Sequence, residues 1–116
     1  MIEHIHPSQF AAWVQQHQQH PEQPLLIDVR EPWEWQVSSL PADVLDGCEF
    51  RQLSMGQIPS ELDRLDPDRP TAILCHHGVR SHSVALYLQE NGFEQLANIA
   101  GGIDAWAQVQ PGIPGY

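Results

Sequence analysis

Residues 71–91 of the chain read TAILCHHGVRSHSVALYLQEN, and the fold class follows from this segment. The apolar run at 71–75 has the length and the branched residues of a buried strand. A tight loop follows at 76–80, and the apolar spacing after it predicts a helix over 81–91 that Gly92 caps. A strand that passes through a short loop into a helix is the building unit of α/β proteins.

The same alternation continues on both sides of this stretch. Strands that alternate with helices imply an α/β fold with a mostly parallel central sheet flanked by helices on both faces. The length of 116 residues is that of one domain, so we expect a single domain over residues 1–116. Apolar periodicity predicts helices at 7–20 and 59–65, helical turns at 31–37 and 103–108, and strands at 25–29, 44–50 and 96–99.

The composition narrows the class of protein. The hydrophobic fraction of 41% is that of an ordinary globular domain. Five arginines and no lysine stand against 15 acidic residues, for a formal net charge of -10. Such a chain repels phosphate backbones and anionic lipids, so we expect no nucleic-acid and no membrane partner. The sequence shows neither a secretory signal nor an apolar run near the ~20 residues that cross a bilayer, so we expect a cytoplasmic protein.

The chain has two cysteines, Cys48 and Cys75, which we interpret as free thiols because no export signal precedes them. Cys75 ends a predicted strand, and ligands of open α/β sheets bind beyond the carboxyl ends of strands. A loop that opens into a helix at this point directs amide N–H groups inward and favours a thiolate, which makes Cys75 a candidate nucleophile. The alternative is a buried, inert thiol. Cys48 lacks such a setting, and we expect a spectator.

Three motifs resemble the markers of the rhodanese-like family. The segment CHHGVRS at 75–81 is similar to the family's active-site loop, C-x-x-G-x-R-[SA]. LIDVRE at 26–31 and AGGIDAW at 100–106 resemble the second and third markers, in the family's order. The chain departs from the family at 39–43, where SLPAD replaces a segment of the His-Ile-Pro-Gly-Ala type. We expect that departure to alter the wall of the pocket and with it the substrate.

The resemblance implies a sulfurtransferase. The Cys75 thiolate would take the outer sulfur of a small donor such as thiosulfate and hold it as a persulfide. An acceptor such as cyanide, a thiol or a thioredoxin-like protein would then remove that sulfur. No metal and no organic cofactor is required. Main-chain N–H groups would stabilise the persulfide, and the loop that supplies them comprises His76, His77, Gly78, Val79, Arg80 and Ser81.

Charged residues near the loop have two interpretations each. Asp28 and Arg30 follow the strand at 25–29, and we expect a structural role near the pocket. Arg80 either orients an anionic donor or braces the loop. We favour bracing, through a pairing with Asp28 or Glu31.

Three histidines, His76, His77 and His82, lie beside Cys75 in the sequence. Adjacent side chains such as His76 and His77 usually diverge, and the spacing matches no common zinc pattern. We therefore expect no metal, and we expect the histidines to shape the rim of the loop.

Two other functions compete with sulfur transfer. One is a non-catalytic or regulatory binding module on the same fold, although such relatives usually lack the cysteine. The other is a cysteine-dependent phosphatase or arsenate reductase. Those enzymes use a C-x5-R loop that accommodates a tetrahedral oxyanion, whereas Arg80 follows Cys75 by five positions and closes a shorter C-x4-R loop.

Overall fold

The computed structural model describes residues 2–116, and its centre is a five-stranded sheet. The strand order is β1-β5-β4-β2-β3, and every neighbouring pair runs parallel. The strands are β1 Ile2–Ile5, β2 Leu25–Asp28, β3 Glu49–Gln52, β4 Thr71–Leu74 and β5 Leu96–Ile99. The predicted α/β class with a parallel sheet is confirmed.

Helices cover both faces of the sheet, as the sequence predicts. They are α1 Phe10–Gln16, α2 Pro32–Val37, α3 Ile58–Glu61, α4 Val79–Glu90 and α5 Gly102–Val109, with 3-10 turns at Pro7–Gln9, Ala42–Leu45, Met55–Gln57 and Leu62–Arg64. One face of the sheet packs against Phe10 of α1 and Trp106 of α5. The other packs against Ile58 of α3 and Leu88 of α4. No helix within residues 2–116 has the length and apolar character to span a bilayer.

The three inner strands, β2, β4 and β5, are buried at every residue. A parallel strand that is covered on both faces needs apolar side chains on both sides. The apolar residues of these three strands therefore form nearly continuous runs in the sequence. The carboxyl ends of the three strands lead into residues 28–31, 75–78 and 100–102. All three family motifs therefore meet at one edge of the sheet.

The edge strands differ from the sequence prediction. Strand β1 was not predicted, because two of its four residues are exposed and its polar side chains hide the pattern. The strand predicted at 44–50 is wrong in its bounds: a 3-10 turn occupies Ala42–Leu45, and β3 spans Glu49–Gln52. No residue of β3 is fully buried, so no apolar alternation marks it.

Three predicted helices also have other bounds. The helix predicted at 7–20 begins as a 3-10 turn and ends at Gln16, since the polar residues after it have no core to pack against. The helix predicted at 59–65 is a short α-helix between two 3-10 turns. The helix predicted at 81–91 begins two residues earlier, at Val79. This earlier start places Arg80 and Ser81 in the first turn of α4.

Candidate active site

Cys75 lies between the end of β4 and the start of α4, and its sulfur has two hydrogen-bond partners. The backbone N–H of Gly78 donates to Sγ at 3.0 Å. Sγ in turn donates to the hydroxyl of Ser81 at 3.3 Å. The sulfur therefore lies at the amino end of a 12-residue helix, where backbone N–H groups favour negative charge. Of the predicted loop amides, Gly78 is the one with a hydrogen bond to the sulfur.

The Cys75 side chain is buried, although residues of the loop that follows it are exposed. Cys75 is 1% exposed, whereas Val79 is 73% exposed. His77 between them is exposed as well. A donor therefore reaches the sulfur only when the loop or its rim side chains move.

The amino end of α5 binds the Cys75 loop through backbone hydrogen bonds. Ile103 N donates to the carbonyl of Cys75 at 2.9 Å, and Asp104 N donates to the carbonyl of His76 at 3.1 Å. This close approach requires Gly102, because a Cβ at that position would overlap both carbonyls. Gly78 is required for the same reason, since its Cβ would lie 3.0 Å from Gly101 N. The glycines of the third motif thus let α5 contact the Cys75 loop.

Arg80 pairs with Glu34 of α2. Its Nη1 donates to Oε1 at 2.7 Å and its Nη2 to Oε2 at 2.8 Å, a two-point ion pair. The Tyr116 hydroxyl also donates to Glu34 Oε2, at 2.7 Å. Mainly because of the Arg80 hydrogen bonds, the pKa of Glu34 falls to about 2. The predicted pairing of Arg80 with Asp28 or Glu31 is wrong, because Glu34 lies one helical turn beyond Glu31 and points back to the loop.

Arg30 is fully buried, and all its donors have acceptors. It forms an ion pair with Asp28, with Nη2 at 2.8 Å from Oδ2. It also donates to the carbonyls of Glu34 and Ser38 and to the Tyr116 hydroxyl. A buried arginine is tolerated only with such complete pairing. Through these bonds Arg30 fixes α2, which carries the partner of Arg80.

Asn98 of β5 forms a second polar network behind the sulfur. Its Oδ1 accepts a short hydrogen bond from the Ser81 hydroxyl. Its Nδ2 donates to the carbonyl of Gly78 at 3.2 Å. Asn98 thereby fixes both groups that contact Cys75 Sγ.

The rings of His76 and His77 stack, so the expectation that they diverge is wrong. Their centroids lie 3.9 Å apart at 23°, and the Tyr116 ring stacks on the other side of His76 at 3.8 Å. Burial is the main reason that the pKa of His76 is lowered. His82 instead contacts His4 edge-on, with ring centroids 4.9 Å apart.

His76, His77 and Asp104 bring one possible ligand atom each within 4.8 Å of one another. Because the two rings stack, an ion in the plane of one imidazole would lie outside the plane of the other, which suits neither nitrogen. The absence of a metal stays a prediction, and metal analysis of the purified protein at neutral pH tests it.

Comparison with known proteins agrees with this geometry. The family model described as "Rhodanese-like domain" matches residues 10–109. The chain belongs to the rhodanese-like domain family. Rhodanese-like/PpiC domain-containing protein 12 of Arabidopsis thaliana is 41% identical over 96 aligned positions, and the alignment covers 78% of this chain and 30% of that relative. Thiosulfate sulfurtransferase GlpE of Vibrio cholerae is 30% identical over 103 residues, which are 89% and 86% of the two chains.

A solved structure shows the same fold. The rhodanese-like domain protein from Staphylococcus aureus superposes with a TM-score of 0.70 and 24% identity, covering 98% of each chain. Sulfurtransferases are thus among the relatives of this rhodanese-like domain, and the fold is that of the family.

Three residues of the site have no place in the sequence prediction. Glu34 and Tyr116 are 82 positions apart, and nothing local marks Glu34 as the partner of Arg80 or Tyr116 as the partner of Glu34. Asn98 carries a signal that was available, since it is the one polar residue of the predicted buried strand at 96–99. A polar side chain in an inner strand needs a partner, and such a residue near a motif is a candidate for the site.

Cys48 of this rhodanese-like domain lies away from the loop. It is half-buried, and its thiol donates to the carbonyl of Leu45 at 3.4 Å. Burial raises the pKa of this thiol to about 11. Its role as a spectator stays a prediction, for which Cys48 now serves as a control.

Replacing Arg80 with alanine should lower both stability and activity. The change leaves the buried Glu34 carboxylate without its cation, and we expect a loss of about 2 kcal/mol, between the effects of exposed and fully buried pairs. Chemical denaturation measures the stability, and turnover measures the activity. A variant that is fully stable but inactive would instead indicate that Arg80 contacts the substrate.

Acid should weaken the wild-type domain partly through Glu34. A carboxyl group whose pKa is lowered to about 2 in the folded state stabilises the fold above its ordinary value of 4.5, and this contribution is lost as the pH falls toward 2. The unfolding midpoints of wild type and Glu34→Gln should therefore differ most at neutral pH and converge in acid. A difference that is independent of pH contradicts this account.

Proposed function

We propose that this rhodanese-like domain is a sulfurtransferase that carries a sulfane sulfur on Cys75 as a persulfide. The observation that supports it most is the position of Cys75 Sγ, which accepts the Gly78 N–H at 3.0 Å at the amino end of α4. Backbone N–H groups at the amino end of a helix stabilise a thiolate, which is the form that attacks sulfur.

In the first half-reaction the Cys75 thiolate attacks the outer sulfur of a donor such as thiosulfate. A new S–S bond forms to Cys75, the S–S bond within thiosulfate breaks, and sulfite leaves with the electron pair. The negative charge stays on the terminal sulfur of the persulfide. The Gly78 N–H, which lies 3.0 Å from Cys75 Sγ, and the first turn of α4 supply the N–H groups that would stabilise this charge.

In the second half-reaction a nucleophile attacks the terminal sulfur, and Cys75 leaves as the thiolate. Cyanide yields thiocyanate by this route, and a small thiol or a thioredoxin-like protein is the acceptor that a cell supplies. The side chains of the site complete both steps without a metal or an organic cofactor. Both cysteines are free thiols, which fits the reducing cytoplasm that we propose as the compartment.

Ser81 has a defined part in this proposal. Its hydroxyl accepts from the Cys75 thiol and donates to Asn98. Loss of the thiol proton removes the first of these bonds, and the hydroxyl then faces a negatively charged sulfur. Rotation of the Ser81 hydroxyl toward the thiolate would stabilise it, at the expense of the hydrogen bond to Asn98.

The burial of Cys75 favours an alternative function, a non-catalytic binding module on the same fold. Cys75 is 1% exposed, as expected for a binding module that no longer exchanges sulfur. The sulfurtransferase and the binding module can be distinguished by steady-state kinetics of the wild-type protein.

Steady-state kinetics test the proposed function. A persulfide intermediate requires that sulfite leaves before the acceptor reacts, so plots of reciprocal rate against reciprocal thiosulfate concentration at several cyanide concentrations should be parallel. Intersecting lines contradict a persulfide intermediate. A folded protein without turnover on any of several donors supports the binding module.

A further inference from the structure

All five arginines of the chain are engaged by carboxylates. The chain has no lysine, so these five side chains are its whole supply of Lys and Arg cations. The pairs are Arg30–Asp28, Arg51–Glu49, Arg64–Glu61, Arg69 with Glu22 and Glu49, and Arg80–Glu34. Within residues 2–116, every arginine therefore has a carboxylate partner that offsets its charge toward an anionic donor.

Arg80 is the cation closest in sequence to the sulfur, and its two terminal nitrogens both bind Glu34, at 2.7 and 2.8 Å. Glu34 is only 3% exposed, so this carboxylate stays close to the guanidinium. The two histidines of the loop differ in their surroundings. Burial lowers the pKa of His76, and His77 Nδ1 lies 3.8 Å from an Asp104 oxygen.

The charge on the donor then decides how well it reacts. Thiosulfate carries two negative charges and the thiolate carries one, so three charges would meet where the Gly78 N–H is the donor to the sulfur. A hydropersulfide, R–S–SH, carries at most one charge. Like charges that approach in a site of low polarity repel strongly, and the net charge of -10 adds long-range repulsion.

Two exposed side chains on and beside the loop are apolar. Val79 at the start of α4 is 73% exposed and Trp33 of α2 is 62% exposed, and Trp33 lies edge-on to Tyr116 at 6.1 Å. A sulfonate held against these side chains would lose water without gaining a cation. An uncharged organic group would instead bury apolar surface. The depth of the Cys75 sulfur restricts the donor to a small molecule.

From these contacts we infer that the preferred donor of Cys75 is a small hydropersulfide whose leaving thiol carries no fixed anionic group. The inference rests on the proposed function and narrows its donor. The Cys75 thiolate attacks the outer sulfur of R–S–SH, the S–S bond of the donor breaks, and RS⁻ leaves with the electron pair and takes a proton from water. Cys75 keeps S–SH, so atoms and charge balance without an oxidant or a reductant.

The test compares two donors that share a two-carbon chain and differ in its end group, which is a hydroxyl in one and an anionic sulfonate in the other. The hydropersulfides of 2-mercaptoethanol and of 2-mercaptoethanesulfonate share the same reacting S–SH group and chain length. Rapid quenching and intact mass give the rate at which each adds one sulfur to the wild-type protein, with Cys75→Ser as the blank. At low salt the uncharged donor should react at least about tenfold faster, and added salt should reduce this ratio by screening.

A substitution at Glu34 provides a second test, in which loading from thiosulfate should increase. Glu34→Gln removes the negative charge that offsets Arg80 but keeps an amide oxygen that can accept one of its hydrogen bonds, so loading from thiosulfate should rise several-fold. Glu94→Gln removes the same charge from an exposed surface position and should change little. The wild-type comparison remains decisive if Glu34→Gln unfolds. Equal rates for the two hydropersulfides, or faster loading of the sulfonate that falls with salt, would overturn the inference while the proposed function stands. Absence of loading from every donor would overturn both.

Discussion

Replacing Cys75 with serine should abolish sulfur transfer, with turnover at least about 10³-fold below wild type. The serine oxygen can take the place of the sulfur between the Gly78 N–H and the Ser81 hydroxyl, so the loop keeps its hydrogen bonds. Oxygen at this position does not form the persulfide on which both half-reactions depend. Thiocyanate formation from thiosulfate and cyanide, or from a hydropersulfide and cyanide, measures the effect.

Cys48→Ser is the matched control, because it makes the same chemical change at the other thiol. The Cys48 sulfur contacts only the Leu45 carbonyl among the hydrogen-bond partners in the structure, and a serine hydroxyl at this position retains a donor for it. Turnover should stay within about twofold of wild type, as for substitutions outside the reacting groups. Loss of activity in Cys48→Ser, or its retention in Cys75→Ser, would contradict the assignment of the nucleophile.

Replacing Gly102 with alanine should be the most damaging change that leaves every polar side chain in place. The backbone at Gly102 has φ +62°, which costs an alanine about 1–2 kcal/mol. The added Cβ would also overlap the carbonyls of Cys75 and His76. Relief of that overlap requires α5 to move away from the loop and the bonds from Ile103 N and Asp104 N to break. We expect a total loss above about 3 kcal/mol.

Gly92→Ala separates the cost of the positive φ from the cost of the steric overlap. Gly92 has φ +92°, but its Cβ would meet nothing within 4 Å. This variant therefore carries only the backbone penalty, about 1–2 kcal/mol, and should retain full turnover. Urea denaturation and turnover of both variants provide the comparison. Equal losses for Gly102→Ala and Gly92→Ala would show that the close approach of α5 to the loop does not matter.

Local chemistry explains which parts of the site were predictable. Cys75, the loop and the helix after it follow each other in the chain, so strand, loop and helix signals identify them together. The polar partners are far away in sequence: Arg80 binds Glu34 across 46 positions, and Tyr116 reaches Glu34 across 82. Only the folded sheet, which brings the ends of β2 and β4 side by side, determines that Glu34 and not Glu31 is the partner.

The same distinction applies to the fold. Strands β2, β4 and β5 are buried on both faces, so their apolar runs are visible in the sequence. Strands β1 and β3 are edge strands that pair through their backbones with β5 and β2. Because backbone pairing does not depend on an apolar side-chain pattern, the sequence does not identify these strands. The stacking of His76 on Tyr116 was equally hidden, since it depends on where residue 116 lies after the fold is complete.

The mass of the intact protein after exposure to a sulfur donor is the most direct measurement. We expect wild-type protein to gain one sulfur atom, peptide mapping to place it on Cys75 and cyanide to remove it as thiocyanate. Protein that stays folded but gains no sulfur from thiosulfate or from any hydropersulfide, or that gains it on Cys48, would contradict a persulfide carried at the amino end of α4.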